Sequence, residues 1–170
     1  FDLLPPGAED DVRDPLTERV LALQGLLSLM LAEPGASLSQ RERGTLDGAL
    51  YATYRAAGIT DDPETHGRPV PVLRDLLAVL RESAEPLGLA NRLERYVDGS
   101  LGHVFSERTT ANLDRPFVVF NVRDLEEELR PLATYLIADH VWGQVRRNPK
   151  PRVLLATAMG GDRACCWNPT

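Results

Sequence analysis

Apolar residues recur three and four positions apart through the first hundred residues, which is the spacing of helices. Leu16, Val20, Leu23, Leu27 and Met30 fall on one helical face, and Leu26 and Leu29 widen it. Asp14 followed by Pro15 supplies an N-cap and a first-turn proline, and Pro34-Gly35 ends the run. Ser39 and Glu42 have the spacing of a capping box. Leu46, Leu50 and Tyr54 continue a second amphipathic face, with Gly58 as its C-terminal cap. Residues 59–71 hold three prolines and a glycine and read as a loop. Residues 72–81 predict a third helix with Leu73, Leu76, Leu77 and Leu80 inward, and residues 85–96 a fourth with Leu89, Leu93 and Tyr96 inward.

The pattern changes near Asp98-Gly99. Residues 103–105 suit a short strand, and Asn112-Leu113 suit another. Residues 117–122, Phe-Val-Val-Phe-Asn-Val, are rich in β-branched and aromatic side chains and apolar on both faces. Such a strand normally lies in a sheet covered on both sides. Residues 126–147 predict a helix with Pro131 in its first turn. Leu132, Leu136, Asp139 or His140, and Gly143 trace one line on it, flanked by Tyr135, Trp142 and Val145. After the stop at Asn148-Pro149-Lys150-Pro151, residues 152–156 begin a second core strand. Strand, helix, strand makes a right-handed parallel βαβ unit. No internal repeat or low-complexity tract is present.

Composition adds bounds. With 170 residues and 43% hydrophobic content the chain can bury one ordinary core. A net charge of −6 gives no global attraction to nucleic acid or anionic lipid. The longest apolar stretch, residues 20–32, is interrupted by Gln24, Gly25 and Ser28 and is too short to span a bilayer. Residues 1–7 have no cationic start before an apolar run, so they are no signal peptide. Phe1 in place of a starting Met is expected of a processed chain or a fragment. Two adjacent cysteines, Cys165 and Cys166, suit a reducing compartment, since neighbours do not reach relaxed disulfide geometry.

Candidate chemistry is sparse, and the residues support no catalytic, cofactor-binding or metal-binding assignment. No GxxxxGK[ST] loop occurs, and Gly160-Gly161-Asp162-Arg163 reads as a turn. His66, His103 and His140 lack ligand spacing, and Cys165-Cys166 have no second pair. Asp124, Glu126, Glu127 and Glu128 sit at a helix start, where the dipole favours them. Tyr135 and Trp142 stand at helical spacing and read as core rather than stacking platforms. Arg146, Arg147, Lys150 and Arg152 form a small basic cluster, read as a solvated helix end, with contact to DNA or a nucleotide the minority alternative.

One long stretch carries a family resemblance: "YVDGSLGHVFSERTTANLDRPFVVFNVRDLEEELRPLATYLIADHVWGQVRRNPKPRVLL". It resembles the conjugative-transfer ATPases of the VirB4/TraC type, in the HerA/FtsK group of RecA-like P-loop motors. "FDLLPPG", "LSQRERGTLDGALYATYRAAGIT" and "THGRPVPVLRDL" resemble the same family's helical insertion, so the likeness runs over residues 1–155. It implies an α/β fold: a partial RecA-like P-loop motor domain with a βαβ unit of parallel sheet, preceded by an all-helical insertion. The implied organisation is a helical subdomain over 1–97, a partial α/β core over 98–156 and an aberrant, unstructured tail over 157–170.

The resemblance further implies a conjugation or type IV secretion ATPase that powers DNA or protein transfer. Its place would be cytoplasmic, peripheral to the inner face of the membrane, with other secretion subunits and further copies of itself as partners. Nucleic acid is not indicated by charge. The intact family uses ATP and Mg. Its phosphate-binding loop would precede Phe1, and its acidic pair would follow the strand at residues 152–155. Ala156, Thr157 and Ala158 stand there instead, and none can bind magnesium or act as a base. This chain is therefore expected to bind neither ATP nor Mg. The tail over 157–170 is expected to be a frame change or a truncated gene in GC-rich DNA, with a divergent true terminus as the alternative; an intact frame through residue 170 in several isolates counts against the first. The alternative reading is a free-standing helical protein-interaction module.

Overall fold

A computed structural model describes residues 1, 14–33, 35–83, 88–105, 118–147 and 153–154. These form six α-helices and one short 3-10 turn: α1 (Pro15–Leu31), α2 (Gln40–Ala56), the turn Pro63–Thr65, α3 (Leu73–Glu82), α4 (Gly88–Val97), α5 (Gly102–Phe105) and α6 (Arg130–Arg147). The caps read from the sequence are present. The Asp14 carboxylate accepts from the Thr17 amide at 3.1 Å. Ser39 and Glu42 form both bonds of a capping box. Gly58 follows α2 with φ +76°, a conformation that L side chains rarely adopt.

Helices α1, α2, α3 and α4 pack in a closed ring, each against the next and α4 back against α1. The interior is filled by Leu27, Leu46, Leu50, Leu76, Leu93 and Tyr54, all without measurable exposure. The linkers close it further, with Leu38 and Ile59 buried. The one buried polar side chain among the described residues, Thr53, returns its hydroxyl to the Ala49 carbonyl at 2.7 Å, so no buried donor is wasted there. Phe105 of α5 stands edge-on to Tyr96, with ring centroids 5.6 Å apart.

The expected α/β architecture is not found. Among the described residues there is no strand and no sheet. Residues 118–122 are unpaired coil, with Val119 72% exposed, and Val153 is 83% exposed. Residues 103–105, read as a strand, lie in α5. The side-chain signal was genuine β propensity, but a strand exists only where a neighbour accepts its backbone bonds, and no described segment lies beside these residues to do so. Leu113, Phe117, Arg152, Leu155 and the tail lie outside the described residues.

Helix α6 has a different place from the one expected of a βαβ crossover. It lies on the outside of the ring, against α1, and starts at Arg130 rather than near residue 126. Leu132 and Gly143 are buried there, and Asp139, not His140, reaches across to α1.

Candidate functional site

The richest polar geometry lies at the junction of α1 and α6. Arg19 Nη1 donates to both carboxylate oxygens of Asp139, at 2.9 and 2.8 Å. Arg146 donates to both oxygens of Glu18, at 2.7 and 3.4 Å. The two-nitrogen Arg146–Glu18 pair holds orientation as well as charge. One turn further along α1, beyond the Arg19–Asp139 pair, the Tyr135 hydroxyl donates to the Ala22 carbonyl at 2.7 Å. Burial raises the Tyr135 phenol above its usual pKa, and the nearby Asp139 charge adds to that. Gly25 makes room: a Cβ there would stand 2.6 Å from the Tyr135 hydroxyl oxygen. Arg19 Nε is buried without a hydrogen-bond partner.

A second junction ties α4 to the start of α2. Arg92 pairs with Glu42 and donates to the Leu31 carbonyl at the end of α1, at 2.6 Å. Glu42 is lowered to about pKa 2, first by the Ser39 backbone amide, then by the Ser39 hydroxyl and by Arg92. Two surface depressions flank these junctions. One is lined by Leu21, Gln24, Gly25, Ser28, Arg43 and Leu46; the other includes Ser39, Glu42, Gly88 and Arg92.

The residues singled out in the sequence are scattered. His66 follows the 3-10 turn, with Nε2 2.8 Å from the Thr60 carbonyl. His103 lies in α5, and His140 is half-buried on α6. Asp124, Glu126, Glu127 and Glu128 are exposed in the segment before α6. Glu128 reaches α4, where Arg95 donates to it at 2.6 and 3.0 Å. Trp142 corrects the core reading: it is 62% exposed. Tyr135 is half-buried on α1. Arg146 is not a solvated helix end but the partner of Glu18, and Arg147 is the last residue of α6. Lys150, Arg152, Ala156, Thr157, Ala158, Gly160, Gly161, Asp162, Arg163, Cys165 and Cys166 lie outside the described residues. The Arg19–Asp139 and Glu18–Arg146 pairs escaped sequence reasoning because more than a hundred residues separate the partners; adjacent opposite charges at Glu18-Arg19 were the only local hint.

Free amides at a helix N-terminus can bind a phosphate. Here the starts of α1, α2, α3 and the 3-10 turn are closed by Asp14, Glu42, Asp75 and Asp62 respectively. A carboxylate in that place repels a phosphate. Among the described residues no three His, Cys, Asp or Glu side chains cluster as a metal site would require. No helix of the described residues is long and apolar enough to cross a membrane.

No protein-family model matches the sequence, and no curated protein matches it. A solved structure does. VirB4 of Thermoanaerobacter pseudethanolicus superimposes with a TM-score of 0.73 over 88% of this chain, at 22% identity. The chain has the fold of that part of VirB4. It spans 58% of the VirB4 chain's length. At such identity the correspondence is one of fold, and the VirB4 likeness read from the sequence agrees with it.

Proposed function

We propose that this chain is the helical portion of a VirB4-like component of a type IV secretion apparatus, in which the intact protein uses ATP to power DNA or protein transfer. The single observation that carries the reading is the shared fold with VirB4 over 88% of the chain. The quoted sequence resemblance supports it. On this reading the chain works at the inner face of the cell membrane among other secretion subunits and does not hold nucleotide itself. Carboxylate-capped helix starts support that last point.

Two measurements test it. Calorimetric titration with Mg-ATP is expected to show no binding tighter than about millimolar, where only weak surface contacts contribute; a micromolar dissociation constant overturns the nucleotide part. Deleting the coding segment in its own cells is expected to abolish transfer; unchanged transfer overturns the secretion part.

A second reading, a free-standing helical interaction module, is favoured by the closed ring of α1–α4, which supplies most of the buried core. The DNA upstream of the Phe1 codon separates the two. An in-frame GxxxxGK[ST] supports the motor component, and a start codon without it supports the module.

A further inference from the structure

Helix α6 is attached to the rest of the protein in a way that no other long helix is. Helices α1–α4 hold one another through fully buried leucines. Among the described side chains of α6, Leu132 alone is a buried hydrophobic, while Trp142 on the same helix is 62% exposed. The directed contacts that hold α6 on α1 are polar: the Arg19–Asp139 and Arg146–Glu18 ion pairs and the Tyr135 hydroxyl on the Ala22 carbonyl. The arginines are well covered, with 13% and 14% of their side chains exposed, and the two carboxylates about a quarter exposed. Pairs of this kind fix geometry strongly but contribute little net stability against water. Leu132 is the one buried hydrophobic that α6 adds to the core; every other buried hydrophobic lies outside α6 among the described residues.

Local stability follows apolar burial, so an element held by polar contacts opens before the core does. We propose that α6 is a releasable arm: it docks on α1 through the two ion pairs and the tyrosine bond, and it swings free as one unit while α1–α4 stay folded. Release uncovers the face of α1 that carries Glu18, Arg19 and the Ala22 carbonyl. The inference stands apart from the proposed role in secretion, since it rests only on how α6 is held.

Hydrogen exchange of the full 170-residue chain, read by peptide mass spectrometry, tests it. Amides of α6 are expected to exchange at least about tenfold faster than the slowest amides of α1–α4, as for a separate opening. Arg19→Glu places two carboxylates face to face and is expected to speed α6 exchange a further tenfold or so, leaving α1–α4 unchanged. Adding Asp139→Arg restores the pair with its sign reversed and should return α6 to within about threefold of the original rate. Tyr135→Phe, a milder change that leaves both ion pairs, should speed α6 alone by about threefold. Exchange of α6 in step with α1–α4 overturns the proposal. So does separate exchange that ignores both the charge reversal and the tyrosine change.

Discussion

Arg92 of α4 joins the beginning of α2 to the end of α1: it pairs with Glu42 and donates to the Leu31 carbonyl at 2.6 Å. The last turn of a helix leaves carbonyls without partners, and Leu31 finds its donor on a helix 61 residues away. Glu42 is engaged at the same time by the Ser39 amide at 2.8 Å. One carboxylate thus closes a helix start and anchors a neighbouring helix.

That double role makes stability depend on acid. The Glu42 carboxyl is lowered from its ordinary 4.5 to about 2 in the folded chain, chiefly by the Ser39 backbone amide. A depressed acid stabilises the fold above its unfolded value and loses that contribution as pH falls through the folded one. Its share is therefore whole above pH 4.5 and vanishes towards pH 2. Melting temperature measured from pH 7 down to 2 is expected to fall more steeply below 4.5 in the parent than in Glu42→Gln. Identical acid limbs would show that the carboxylate is not held as described.

Two glycines in helices should respond oppositely to alanine. Gly48 lies in α2 with nothing within 4 Å of a new Cβ, so Gly48→Ala should stabilise by roughly 0.5–1 kcal/mol through backbone entropy. Gly25 lies in α1 with the Tyr135 hydroxyl only 2.6 Å from a new Cβ. Gly25→Ala gains the same propensity but must displace Tyr135 from the Ala22 carbonyl, a change costing roughly 1–3 kcal/mol. Chemical denaturation of the two variants should shift their midpoints in opposite directions. A stabilised Gly25→Ala would mean that Tyr135 is not seated on α1.

The coil at 118–120 offers a further test. Val118, Val119 and Phe120 are all exposed, and among the described residues no strand pairs with them. Such a segment is a template for association. Light scattering over a concentration series is expected to show self-association of the chain, reduced by Val119→Lys. A strictly monomeric chain at high concentration would show that these residues do not associate.

How much could be read in advance varies with the range of the force involved. Asp14-Pro15, the Ser39–Glu42 box and Gly58 act within one turn of chain, so their sequence reading and their geometry coincide. The leucine faces of α1–α4 are also local patterns, and a helix whose apolar face has one direction has one way to bury it. Leu29 and Trp142 mark where the pattern ran out. Both sit at helical spacing from buried neighbours, but whether such a flank residue is covered depends on where the next helix lies, and both are exposed.

The amino-acid sequence by itself determined the four-helix block to within a few residues: the caps of α1 and α2 and the inward faces are written in short-range periodicity, while α4 begins at Gly88 rather than at residue 85. Only the tertiary structure decided the second half. Val118 to Val122 carry strand-forming side chains, yet strand formation is a property of two segments, and among the described residues these have no partner. The seat of α6 was equally out of reach. Arg19 and Asp139 are 120 residues apart, and charge carries no local signature of which opposite charge it will meet. Chain folding brings them together because α1 presents its outer face, already ordered by the buried one, to whatever helix returns to it.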